Sequence, residues 1–227
     1  KALLSSALLV NQCQSAGPHG ISFDNFSSDL APAQKRSRDI AEKLSGGVSH
    51  LFKKNKIAHI TGIGKLLGGG AVEVTSADGT KETYASDHIV VATGSRPREI
   101  PVLPIDEKAI WSSTGALFQK EAPASLAVVG AGAVGMEFAD IYNAYGSKVT
   151  VIESLERILP VEDADSSAAL QRSFKKRGIA FHTGATVKKA LIGEGSVKLL
   201  FDGKNSDSHE LEVESVLCAV GRVPNTE

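Results

Sequence analysis

Residues 126–153, LAVVGAGAVGMEFADIYNAYGSKVTVIE, restrict the fold more than any other stretch. Leu126-Ala127-Val128-Val129 is a short apolar run of the kind found in parallel strands buried on both faces. It leads into Gly130-Ala131-Gly132-Ala133-Val134-Gly135, after which Val134, Phe138, Ile141 and Tyr145 recur at helical spacing until Gly146. Lys148 to Glu153 then reads as a second strand with an acidic last residue. Each glycine of the G-x-G-x-x-G turn has a mechanical role. Gly130 permits a tight turn, Gly132 lets the backbone approach a diphosphate, and Gly135 lets the helix pack on the strand. The helix N-terminus presents N–H groups and positive dipole to phosphates. Glu153, about 20 residues past the first glycine, is placed to accept the hydroxyls of an adenosine ribose. Strand, turn, helix, strand and acid in this order point to a dinucleotide site.

The second βα unit follows, with Asp163 or Asp165 capping a helix that carries Leu170 and Phe174, Gly178 ending it, and Ile179 to His182 as the next strand. Residues 185–213 read as an antiparallel meander in which Val197, Leu199 and Phe201 alternate, and Val216 to Val220 closes the domain. Upstream, a helix is expected from Lys1 to Val10, loop over 11–30, and a long helix from about Pro32 to Asn55. Gly46-Gly47 inside that helix costs about 1 kcal/mol per glycine relative to alanine, so a close backbone contact is expected there. Ile57 to Gly64 and His88 to Ala92 read as strands, and Val72 to Thr75 pairs with Thr80 to Tyr84 around Asp78-Gly79. Three prolines within 97–111 mark a boundary, and Ser112 to Thr114 can cap a short helix through Phe118. The expectation is an α/β chain with two Rossmann-like nucleotide-binding domains, a parallel sheet with an antiparallel β meander, divided as 1–98 and 99–227.

With a net charge of -1 and no basic block, the chain implies neither nucleic acid nor an anionic membrane as partner. Its apolar runs are too short to span a bilayer, and no signal peptide is visible, which argues against secretion. Two cysteines, Cys13 and Cys218, are unpatterned and fit buried thiols in a reducing compartment. The six histidines have no metal-ligand spacing, so no metal site is expected. The chain starts at Lys1 in a helical pattern and its one methionine is Met136, as in the interior of a longer polypeptide.

Four stretches together resemble the flavin-dependent pyridine nucleotide-disulfide oxidoreductases, and among them the dihydrolipoamide dehydrogenases most. Lys1-Ala2-Leu3-Leu4 is similar to the residues after the redox cysteine pair. Residues 46–56, GGVSHLFKKNK, look most like the lipoamide enzymes. Ala92-Thr93-Gly94-Ser95 is similar to the motif ending the first flavin segment, and Gly221-Arg222-Val223-Pro224-Asn225-Thr226 to the motif ending the NAD domain.

The resemblance implies that Lys1, Gly64, Thr93, Gly94 and Ser95 contact FAD. It implies an NAD site formed by Gly130, Ala131, Gly132, Ala133, Val134, Gly135, Met136, Glu137, Glu153, Val187 and Gly221, with Val187 acting through its backbone beside the adenine. On this reading 1–98 is the later part of the first FAD-domain segment, its FAD domain being incomplete, and 99–227 is the NAD domain. Glu137, one turn into the phosphate-binding helix, cannot face a diphosphate without repulsion and is expected to point away from it. The family pairs a lysine and a glutamate at the positions of Lys1 and Glu137 beside the flavin, so these two are expected to meet. The implied reaction takes electrons from dihydrolipoamide through a disulfide and FAD to NAD. The implied partner is the lipoyl domain of a 2-oxo acid dehydrogenase or glycine cleavage complex, with a homodimer in bacterial cytoplasm or the mitochondrial matrix. The Cys-x-x-x-x-Cys pair, the first flavin glycine turn and the His/Glu base of the family are absent from this sequence, so the chain alone is expected to be inactive. Another disulfide or mercuric reductase, a flavin transhydrogenase, or a non-catalytic nucleotide-binding module are the alternatives.

Overall fold

The computed structural model describes residues 1–227. The chain forms two compact units, one of Lys1–Asp39 with Ser95–Pro224 and one of Ile40–Gly94 with Asn225–Glu227. Helix α1 (Ala2–Gln14) opens the first unit and runs one turn past the expected end at Val10, with Leu3, Ala7 and Val10 on its buried face. Helix α2 (Leu30–Lys54) begins in the first unit, burying Leu30, Ala33, Gln34 and Ser37, and its later turns belong to the second. No helix is long and apolar enough to cross a membrane.

In the second unit, α2 passes through Gly46 and Gly47 without a break, and a Cβ added to either would meet nothing within 4 Å. The close contact expected there is therefore absent. An antiparallel sheet of β1 (Ile63–Gly68), β2 (Ala71–Thr75) and β3 (Lys81–Ala85) follows. The β2–β3 turn has Gly79 at φ +85 and Thr80 N–H donating to Asp78 Oδ1 at 2.9 Å, the chemistry that Asp-Gly supplies. One expected strand, 88–92, does not form, and of the other, 57–64, only Ile63 and Gly64 lie in a strand, at the start of β1. Residues 57–62 are irregular, and residues 88–92 are irregular and exposed, Val90 at 89%. Their β-branched residues favour extended backbone, but a strand needs a hydrogen-bonded neighbour, and β1–β3 pair only with one another.

The first unit resumes at β4 (Ser95–Pro97), followed by β5 (Ile110–Trp111), α3 (Ser113–Ala116), β6 (Ser125–Val129), α4 (Ala133–Ala144), β7 (Lys148–Glu153), α5 (Ala164–Lys176) and β8 (Ala180–Thr183). The meander β9 (Thr186–Ile192), β10 (Val197–Asp202) and β11 (Ser208–Val213) comes next, then β12 (Ser215–Cys218) and β13 (Arg222–Pro224), which pairs with β4. Three of the helix starts use side-chain caps: Asp29 accepts from Ala31 N–H ahead of α2, Ser112 from Thr114 and Gly115 N–H ahead of α3, and Asp163 from Asp165 and Ser166 N–H ahead of α5.

The central sheet is parallel throughout, in the order β5-β12-β6-β7-β8. Successive residues of its inner strands face two cores. Leu126, Val128, Val149, Val151 and Leu217 pack with α1, α4 and α5, whereas Ala127, Val129, Ile152, Val216 and Cys218 pack under the meander with Val187, Val197, Leu199 and Phe201. Burial on both faces explains the uninterrupted apolar runs. β10 alternates between buried and half-buried along its length, as its sequence pattern requires. Burial among these residues pushes the Cys218 thiol above its ordinary pKa, while Cys13 is half-buried rather than buried.

His182 on β8 sits edge-on to Phe201, 5.1 Å between centroids, and 5.9 Å from His209, which pairs with Asp207 at 2.6 Å. Burial, then the neighbouring His209, lowers the His182 pKa. The unfolded chain takes up this proton first, near pH 6.5, so the fold is favoured above that pH and loses stability as pH falls toward the folded-state pKa. In His182→Phe, the drop in melting temperature between about pH 8 and about pH 5.5 should be smaller than in the parent protein. An unchanged drop would show that His182 does not contribute to it.

Candidate dinucleotide site

Strand order reverses between β6 and β12. β6 is followed outward by β7 and β8 on one side, while the chain returns to β12 on the other. Crossovers then leave to opposite faces at adjacent strand ends, and a crevice opens beyond their carboxyl termini. It has a volume of about 500 Å³, and Gly130, Gly132, Glu153, Val187, Val220 and Gly221 are among its lining residues.

Steric limits at the turn separate the three glycines. Gly130 has φ +102, and a Cβ on it would lie 2.4 Å from the Ala219 carbonyl oxygen. A Cβ on Gly135 would lie 2.0 Å from the Gly130 carbonyl oxygen and 3.2 Å from Val128 Cγ1, so α4 rests directly on the end of β6. Gly132 is different, because an added Cβ would meet nothing within 4 Å. It faces the open crevice at the N-cap of α4, where no side chain caps the helix. The bare backbone and the positive end of a 12-residue helix suit an anionic ligand.

Hydrogen bonds hold this turn on several sides. Gly130 N–H donates to Ile152 O at 2.8 Å, Ala219 N–H to Val129 O at 2.8 Å, and Leu159 N–H to Ala131 O at 2.8 Å. Glu153 is only 7% exposed yet lines the crevice. Its Oε2 accepts from Ala131 N–H at 2.6 Å, and its Oε1 accepts from Leu155 N–H at 2.8 Å and from the Ser154 hydroxyl at 3.2 Å. A carboxylate offers about four acceptor positions, so three are in use and both ribose hydroxyls cannot be added without displacing one of these donors. The acid therefore fixes the turn as well as facing the crevice.

The other expected nucleotide residues spread away from it. Ala131 is buried and its N–H is taken up by Glu153, Gly135 is the packing contact, and Met136 is buried in the helix-side core. Val134 is partly exposed at the head of α4. Ala133, Met136 and Glu137 line a second, mostly apolar cavity of about 290 Å³ with Leu4, Leu170 and Phe174. Glu137 thus points away from the glycine turn, and Lys1 Nζ donates to its Oε1. Of the expected flavin residues, Lys1 and Ser95 belong to the first compact unit, and Gly64, Thr93 and Gly94 to the second. Arg222 donates to the Ser95 hydroxyl at 2.7 Å, and Asn225 Nδ2 donates to the Thr93 carbonyl at 3.1 Å. Arg98, Thr186 and Leu155 also line the crevice. They sit on loops and strand ends and carry no motif by which the sequence could have marked them.

The sequence matches the pyridine nucleotide-disulphide oxidoreductase family over residues 8–227. It is 43% identical to the dihydrolipoyl dehydrogenase of Chlorobaculum tepidum over 97% of this chain and 47% of that protein. With the dihydrolipoyl dehydrogenase of Bacillus subtilis the identity is 35%, over 100% of this chain and 50% of the relative. The crystal structure of LpdA from Mycobacterium tuberculosis superposes with a TM-score of 0.86 at 28% identity, covering 100% of this chain and 49% of that one. The chain spans about half the length of these relatives. A match of this extent, on a parallel sheet with its glycine turn at the strand-order reversal, establishes that the chain belongs to the pyridine nucleotide-disulphide oxidoreductase family.

Proposed function

We propose that this chain supplies the nucleotide-binding half of a NAD-dependent dihydrolipoyl dehydrogenase. The crevice between the glycine turn and the tip of β7 carries this reading: open backbone at Gly132 for a diphosphate, and a carboxylate at Glu153 for a ribose. The names of the relatives support the choice of dihydrolipoamide as reductant. The lipoyl domain of a 2-oxo acid dehydrogenase or glycine cleavage complex is then the protein partner. A homodimer in bacterial cytoplasm or the mitochondrial matrix belongs to the same proposal.

Each residue has a distinct part in this reading. The N–H groups at the head of α4 hold the diphosphate, Glu153 orients the adenosine ribose, and the Val187 backbone borders the adenine, with Gly221 closing the other end. Lys1, Gly64, Thr93, Gly94 and Ser95 would hold FAD, which when bound carries two electrons between a dithiol and the nicotinamide. Glu137 accepts a hydrogen bond from the Lys1 ammonium. A cation oriented by a carboxylate in this way stabilises negative charge that develops beside it.

In the full-length protein purified with its flavin, NADH should bleach the flavin and dihydrolipoamide should reduce NAD. Glu137→Gln should lower kcat by about tenfold or more while leaving the NAD dissociation constant within about twofold. Loss of nucleotide affinity in that variant would move Glu137 into the nucleotide site. Absence of both bleaching and dihydrolipoamide oxidation in the parent protein would overturn the proposal.

A further inference from the structure

Two charged side chains line the crevice, Glu153 and Arg98, and their circumstances are opposite. Glu153 is buried and accepts three hydrogen bonds. Arg98 is exposed, and its guanidinium makes no ion pair or hydrogen bond within the protein. This contrasts with Lys1, Arg177, Lys204 and Arg222, each engaged with a carboxylate or a backbone oxygen.

The backbone around Arg98 is anchored at the Gly221 side of the crevice. Arg98 N–H donates to Gly221 O at 3.0 Å, just after β4 pairs with β13. Arg98 Nε lies 4.0 Å from where a Cβ on Gly221 would stand. The same loop brings the Ala219 carbonyl against Gly130. A planar cation with five donors thus lines the crevice that also presents bare backbone N–H groups. The one carboxylate lining that crevice, Glu153, is engaged with the turn instead. That combination matches a ligand carrying adjacent phosphate oxygens, which guanidinium groups bind in a forked geometry.

We propose that Arg98 is a further dinucleotide-binding residue, its guanidinium taking the diphosphate from the side of the Gly221 loop while the head of α4 takes it from the other. The proposal rests on the nucleotide reading of the crevice. It adds a charge requirement that no glycine motif encodes. The diphosphate is common to NAD and NADP, so Arg98 should strengthen binding of both without choosing between them. Glu153, at the ribose, should instead favour NAD over NADP.

Dissociation constants for NAD, NADP and ADP-ribose, measured by calorimetry on the full-length holoprotein at low and high salt, test this. Arg98→Gln should weaken NAD and ADP-ribose about tenfold, with the ratio of NAD to NADP affinity unchanged, and Arg98→Lys should recover part of the loss. Raising ionic strength from about 0.05 M to about 0.5 M should weaken binding to the parent protein more than to Arg98→Gln, because one screened charge contact has been removed. Affinity of Arg98→Gln within twofold of the parent, equal salt dependence, or an Arg98→Lys no better than Arg98→Gln would each overturn the assignment. Should Arg98→Gln not fold, Arg98→Lys carries the test by the same comparison with the parent. If the parent protein itself binds none of the three ligands, the nucleotide reading of the crevice fails, and not Arg98 alone.

Discussion

Gly135→Ala should destabilise the protein by about 3 kcal/mol or more, whereas Gly132→Ala should leave stability within about 0.5 kcal/mol and weaken NAD binding at least tenfold. Both substitutions add one methyl group to the same six-residue turn, and the space around each decides the outcome. In an ordinary helix interior, alanine is favoured over glycine by about 1 kcal/mol. At Gly135 that gain is overwhelmed, because the methyl would stand 2.0 Å from the Gly130 carbonyl oxygen. This oxygen is backbone and cannot rotate away, and Gly130 is itself pinned by its N–H bond to Ile152 O. Relief requires α4 to lift from β6, which opens the core around Val128 and Ala139. At Gly132, φ −71 and ψ 179 suit any residue, and the methyl enters open space. Any loss there must come from the ligand, since the methyl occupies the place where the diphosphate would approach the backbone. Denaturant unfolding and calorimetry on the two variants separate the effects. Undiminished NAD affinity in Gly132→Ala would mean that no diphosphate rests on this turn.

The same steric logic explains what could be read from the sequence. The glycine turn was legible because each of its constraints is local: a positive φ at Gly130, a helix–strand contact at Gly135, an unobstructed backbone at Gly132. Buried strands β6, β7 and β12 were legible because both faces of a parallel sheet demand apolar residues. The run at 88–92 has the same composition and makes no strand, since strand formation depends on a neighbour that composition does not specify. Helix α1 outran its expected end because Asn11, Gln12 and Gln14 break the apolar pattern without breaking the helix. There Asn11 and Gln14 instead reach Asp140 and the Ala144 carbonyl on α4 at 3.4 Å each. The glycine pair at 46–47 suggested a close approach, yet permissiveness in a helix does not require a contact. Lys1 and Glu137, 136 positions apart, came together in expectation through family resemblance, as no local pattern joins them. Arg98 had no signal of any kind, because its importance arises from where β4 and the loop after β12 meet.

Glu153 governs the second large effect. The full-length protein should use NADH over NADPH by roughly 100-fold or more in kcat/KM, since a 2′-phosphate at the ribose would be set against a buried carboxylate. Two nearby cations are already engaged and do not compensate: Arg157 donates to the Pro160 carbonyl at 2.9 Å and is not among the crevice-lining residues, and Lys204 pairs with Glu156. Glu153→Arg should reduce this preference, but chiefly by damaging NADH use. The carboxylate accepts from Ala131 N–H, Leu155 N–H and the Ser154 hydroxyl, and arginine can only donate. Donors would then face donors at the base of the glycine turn, at a stability cost of about 2–4 kcal/mol. Glu153→Gln keeps one acceptor oxygen, so it should lose less stability while still removing the charge that repels a 2′-phosphate. Steady-state kinetics with both nucleotides, beside denaturant unfolding of both variants, distinguish these effects. Equal efficiency of the parent protein with NADH and NADPH would remove the electrostatic basis for cofactor choice. Full stability in Glu153→Arg would instead show that the turn does not depend on its carboxylate, leaving only the ribose as the reason for an acid at the tip of β7.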